Sequence, residues 1–213
     1  MKAVVDIVVK AQDEFLSLLQ THTKENGLTR EQYVRFLSMQ YHLTNGVQRH
    51  FMIAASHPSM ARKRMLRKFL VNFANEEELH YEIAREDLEK MNEKPTECPL
   101  DVTLWWSYFN SIIMDKPFIR LGATCILENI SKKSNDLIDK LMSKADYLTK
   151  ANTRFVIIHK HGENLPHGDQ IIEALTEANP TDDQLKDLEK GADIGRTMYL
   201  RMFYWVITGK NLD

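Results

Sequence analysis

The sequence predicts an all-α protein, a single domain of seven or eight helices over residues 1–213. Three observations predict it. Apolar residues recur at three- and four-residue steps through most of the chain, the period of a helix with one buried face. The apolar/polar alternation of strands is missing. Two Thr-x-x-Gln stretches, at Thr29 and Thr181, have the spacing of capping boxes, in which hydroxyl and amide side chains satisfy free backbone N–H groups.

Each element follows from local pattern. Val4, Val8, Ala11, Phe15, Leu18 and His22 mark one face of a first helix, which Asn26-Gly27 ends. The Thr29 box opens a second helix, with Tyr33, Phe36, Leu37, Gln40, Thr44 and Val47 on one side, stopping before His57-Pro58. A long third helix is expected over 59–91, and the prolines at 95 and 99 bound a loop. Asp101 is placed to cap a short aromatic helix with Trp105, Trp106, Tyr108 and Phe109. Pro117 suits the first turn of a helix running to residue 142, because its missing N–H would be unpaired there anyway. Helices over 148–161 and 165–177 are separated or kinked by Gly162 and Pro166. After Asn179-Pro180 the second capping box begins a final helix whose Tyr199, Phe203, Tyr204 and Trp205 suggest an aromatic surface for a homodimer.

Composition narrows the function. A net charge of −2 with dispersed Lys and Arg argues against nucleic acid or an anionic membrane as partner. No stretch has transmembrane length, and Lys10, Asp13 and Glu14 interrupt the N-terminal apolar segment as no signal peptide would, so a cytoplasmic location is expected. Cys98 and Cys125 have no metal-binding spacing and are expected as free thiols.

The chemistry lies in charges that interrupt apolar stripes. Glu77 and His80 fall within the stripe Leu66, Leu70, Phe73, Ala84, Leu88, Met91. Glu76, Glu77 and Glu78 cannot all face inward, since neighbours on a helix are about 100° apart, and the stripe selects Glu77. Glu128 stands inside the apolar run 121–130. It must bind a cation, take up a proton, or pair with an arginine such as Arg120 or Arg154. His159, Glu163 and His167 follow at four-residue steps. Carboxylates with neutral imidazoles on inward faces suit iron or manganese. Gln40, Tyr41, Thr44, Trp106 and Cys125 are candidates for a substrate cavity beside them.

The motifs NFANEEELH (72–80) and ATCILE (123–128), followed by His-x3-acid-x3-His, resemble those of the haem-oxygenase-like di-iron oxidases and oxygenases. That family shares its fold with the TenA thiaminases and pyrroloquinoline quinone synthase. The likeness runs over residues 30–177. It implies a haem-oxygenase-like fold, two Fe(II) ions and no haem, and O2 as co-substrate. The substrate it implies is a small organic or amino-acid-derived metabolite. The implied metal ligands are Glu77, His80, Glu128, His159, Glu163 and His167. The family usually has aspartate at the position of Glu163 and its last histidine one residue nearer. One tightly held and one labile iron is the consequence expected here.

Rivals carry other signatures. A TenA-like hydrolase of a thiamine-related pyrimidine would use Cys125 as nucleophile, but Tyr41-His42 follows Gln40 where that family has an acid, and Asn129 replaces its tyrosine. Haem degradation would need His22 as axial ligand and a glycine-rich helix over the haem. A ferritin-like bundle would need a second Glu-x-x-His. A ligand-binding member of the fold without metal is the non-enzymatic alternative.

Overall fold

The computed structural model describes residues 1–23, 27–160 and 167–211, with the side chains of all of these except Lys160 and His167. Among them are eleven α-helices and no strand. They are α1 (Lys2–His22), α2 (Arg30–Thr44), α3 (Val47–Ser56), α4 (Arg64–Glu77), α5 (His80–Lys90), α6 (Leu100–Ile112), α7 (Pro117–Leu127), α8 (Asn135–Ser143), α9 (Arg154–Lys160), α10 (His167–Glu177) and α11 (Asp182–Thr208). Short 3-10 turns lie at Pro58–Met60 and Lys132–Ser134. Both capping boxes form, with Thr29 and Thr181 each accepting from the backbone of the glutamine three residues on.

Three of the expected helices are each broken once. Gly46 separates α2 from α3 with φ +90°, a conformation costly for any residue with a Cβ. The stretch expected over 59–91 breaks at Glu78-Leu79, leaving Glu77 as the last residue of α4 and His80 as the first of α5. Three consecutive glutamates there meet the negative end of the helix dipole, which weakens the last turn. The helix begun by Pro117 stops at Leu127 rather than near 142. Here Asn129 turns back, donating from Nδ2 to the Cys125 carbonyl at 2.8 Å and to the Gly168 carbonyl at 3.0 Å. Its own carbonyl accepts from Gln12 Nε2 at 2.9 Å, so one buried asparagine ties α1, α7 and α10 together.

Asp101 does not cap α6. That helix starts two residues earlier, with Pro99 at its N-cap, and Asp101 is buried, accepting a 2.9 Å bond from Arg201 Nε.

The bundle is assembled around α7 and α11. A Cβ on Gly191 would lie 1.8 Å from the Ile119 carbonyl oxygen, and one on Gly122 would lie 2.1 Å from that of Leu188. Only glycine permits backbones this close. Against this pair pack α1, α2 and α6 on α11, and α10 on α7. A smaller apolar cluster of Tyr33, Leu37, Ala84, Leu88, Met91 and Phe155 joins α2, α5 and α9. Full burial of such side chains contributes about 1.5–3 kcal/mol each. The aromatic residues of α11 expected at a dimer surface are partly internal, since Tyr199 and Phe203 are buried against Phe15. Among the described residues, no helix is long and apolar enough to cross a membrane.

Candidate metal centre

The helix break at 78–79 builds one side of the site. Glu77 ends α4 and His80 begins α5, and His80 Nδ1 lies 2.8 Å from Glu77 Oε2. Both are nearly buried, at 6% and 8% exposure. The second side comes from α9. Asp87 of α5 accepts from the Phe155 N–H at 2.8 Å and thereby seats the first turn of α9 on α5. One turn later His159 meets His80 edge to face, with ring centroids 4.6 Å apart. His159 Nδ1 donates to the Phe155 carbonyl at 2.7 Å. That bond sets the tautomer in which Nε2 carries the lone pair a metal ion would use.

Glu77, His80 and His159 each offer a ligand atom, and these atoms all lie within 4.8 Å of one another. Two imidazoles and one carboxylate are the donor set of non-haem Fe(II) oxygenases, which leave other coordination positions for substrate and O2. The three residues therefore fit one divalent ion of that kind. Glu163 lies outside the described residues, as does the side chain of His167. The bond from the Asn129 side-chain amide to the Gly168 carbonyl holds the start of α10 at the end of α7, where Glu128 stands.

Glu128 is not within the three-residue cluster but shares its cavity, a space of about 710 Å³ lined by Glu77, His80, His159 and Glu128. Burial and then the Glu77 carboxylate push the Glu128 carboxyl well above its ordinary range, against the pull of Arg120. Arg120 is 1% exposed and lines the same cavity. Its side chain was considered above only as a partner for Glu128. Among the described residues it is a fully buried cation of this cavity: burial pulls it down to about 10, opposed by Glu128 and Glu77. The signal in the sequence is the four-residue spacing of Arg120, Thr124 and Glu128, which stacks them on one side of α7.

Gln40 and Thr44 line the cavity as expected, and Gln40 Nε2 donates to Tyr199 Oη at 3.3 Å. Tyr199, a wall residue that sequence reasoning assigned to the outside, has its hydroxyl raised to about 12, chiefly by burial. The other three cavity candidates are elsewhere. Tyr41 packs against His42 and Tyr81. Trp106 donates to the His42 carbonyl and lines a separate hollow of about 300 Å³ with His50 and Asn110. Cys125 is fully buried behind the wall, its thiol raised to about 12 by burial and then by Glu128. A helix period locates a face to within one residue in three or four, and these three fall on the neighbouring faces. His22, the axial ligand a haem enzyme would use, is exposed against Tyr204 and is not part of the cavity.

No family model matches the chain, and no curated protein matches it. One solved structure is similar: a domain of unknown function with a heme oxygenase-like fold from Shewanella denitrificans, at TM-score 0.79 and 17% identity, covering 95% of this chain and 90% of that one. At that identity the likeness concerns the path of the backbone alone. The fold of this chain is the all-α, haem-oxygenase-like bundle.

Proposed function

We propose that this protein is a non-haem iron enzyme, an O2-dependent oxidase or oxygenase of a small organic or amino-acid-derived metabolite. One observation carries the reading: Glu77, His80 and His159, from three different helices, offer ligand atoms within 4.8 Å at the wall of a cavity of about 710 Å³. A cavity of that size accommodates a metabolite or drug-sized molecule. An Fe(II) ion held there would supply the O2 activation that no protein side chain provides.

The chain's own residues do the rest. Phe15, Phe36, Phe51, Phe155 and Phe203 give the cavity an apolar wall, while Glu77 and His80 are buried and His159 is exposed. Gln40, Tyr199 and Arg120 are donors set into that wall, able to orient a polar group of the substrate. Two free cysteines accord with a reducing compartment, which supports a cytoplasmic location.

The test is anaerobic loading with ferrous iron, followed by iron analysis and O2 uptake with candidate substrates. Bound iron that is lost in Glu77→Ala and His159→Ala is the expected result; wild type that binds no iron in excess Fe(II) would refute the reading. A metal-free binding protein is favoured by a different observation, the presence of Arg120 as a ready counter-ion for both glutamates. The TenA-like alternative has no such support, because a buried thiol raised to about 12 is a poor nucleophile.

A further inference from the structure

We infer that Arg120 selects the substrate, and that the group it selects is a carboxylate. The inference names the substrate class of the cavity described above and so rests on the enzyme reading, but the cavity wall carries it.

The guanidinium is held at two of its three nitrogens. Nε donates to His50 Nδ1 at 3.2 Å, and Nη1 donates to Thr124 Oγ1 at 2.7 Å. His50 Nε2 donates to Asn110 Oδ1 at 2.9 Å, which leaves Nδ1 as the acceptor that Arg120 needs. Cζ lies 5.3 Å from the ring centres of Phe51 and Trp105 and 5.4 Å from that of Phe109, so aromatic side chains wedge the group in place. Nη2 has no acceptor among the described residues. Glu128 and Glu77 act on the guanidinium through space. Arg120 is 1% exposed and lines the cavity, so what its remaining edge can meet is whatever the cavity holds.

That edge asks for an oxygen. Water can serve it in an empty cavity, and a ligand that displaces the water binds well only if it accepts the same bond. A guanidinium makes its strongest hydrogen bonds to an ionised oxygen, about twice as strong as a neutral pair. A phosphate, with three acceptor oxygens, calls for several such donors. Lys132 also lines the cavity, but it already bonds Asp169 at 2.5 Å. A carboxylate is served by fewer, and Tyr199 adds a second donor to the same cavity. Its hydroxyl accepts from Gln40 Nε2 at 3.3 Å, and its own proton has no acceptor among the described residues. The phenylalanine wall suits an apolar remainder on the same molecule.

The experiment titrates the full chain, stripped of metal with EDTA, with hydrocinnamate by calorimetry, beside the amide and the alcohol of the same skeleton. Wild type is expected to bind the acid about 10-fold tighter than the amide, the margin between a charged and a neutral hydrogen bond. Equal affinities, or no saturable binding of the acid up to its solubility limit, overturn the inference. Arg120→Met, close in length but uncharged, is expected to lose the preference. A folded variant that keeps it overturns the role given to Arg120. Should that variant not fold, a crystal structure of the wild-type hydrocinnamate complex decides. A carboxylate within hydrogen-bond reach of Nη2 supports the inference, and one seated elsewhere overturns it. Since the titration uses metal-free protein, its outcome is separate from the iron test. Iron binding without the preference defeats this inference alone, and the preference in a chain that binds no iron defeats the metal reading alone.

Discussion

At the scale of single residues, Glu128 shows how a buried charge reports on its surroundings. Its folded carboxyl titrates above 4.5, the value expected in the unfolded chain. The folded state therefore keeps a proton that the unfolded state has lost. The stability linked to that proton is complete below pH 4.5 and is lost as pH rises through the folded value. Glutamine imitates the protonated form at every pH. In metal-free protein, Glu128→Gln should thus melt above wild type at pH 8, with the gap closing toward pH 4.5. Each kcal/mol gained is worth about 2–4 °C in a chain of this size. An equal or lower melting temperature at pH 8 would contradict the direction assigned to Glu128. Cys125 gives a second expectation: at pH 8 a thiol reagent should leave it unmodified in the folded protein and modify it on unfolding, as mass spectrometry of the labelled peptides would show. Glu77 and His80 were legible in the sequence because each is a costly residue in an apolar stripe. Arg120 was legible only as one of two possible partners, since spacing along α7 does not tell which helix lies across the cavity.

At the scale of elements, the site depends on how α9 is held. Asp87 is buried, accepts from the Phe155 N–H through Oδ2, and leaves Oδ1 without a hydrogen-bond partner among the described residues. It acts as a cap delivered from a neighbouring helix. Asp87→Ala should cost about 0.5–2 kcal/mol in denaturant unfolding, the usual value of an N-cap. Because α9 carries His159, metal affinity should fall with it, by about 10–100-fold as for other residues that orient ligands. Asp87→Asn keeps an oxygen for the Phe155 N–H and should lose less on both measures. Equal losses for the two variants would show that the cap is not what holds α9. This tie was invisible in the sequence, where Asp87 is one more acid in a charged stretch. The two capping boxes were plain there, because their partners lie three residues apart. The helix breaks at 45–46 and 78–79 were not, for the apolar stripe runs across both and signals burial rather than continuity.

At the scale of the whole molecule, the seam between α7 and α11 sets the geometry of everything else. Gly191→Ala would place a methyl group 1.8 Å from the Ile119 carbonyl oxygen. Neither backbone can step aside, so a loss of about 1–3 kcal/mol or more is expected from overpacking. Thermal or denaturant unfolding would measure it, and an unchanged midpoint would mean the helices are farther apart than described. The all-α class was legible from periodicity over the full length. This seam was not, although Gly191 and Gly195 stand four residues apart on one helix face, because nothing in the chain says that Gly122 is their counterpart. The same seam governs traffic. Helices locked backbone to backbone cannot part to admit a molecule, so the wall bearing Arg120 and Tyr199 is closed to passage. Entry and exit then fall to the rest of the lining, which includes Ile138, Met142 and Ile158 of α8 and α9, helices of only nine and seven residues.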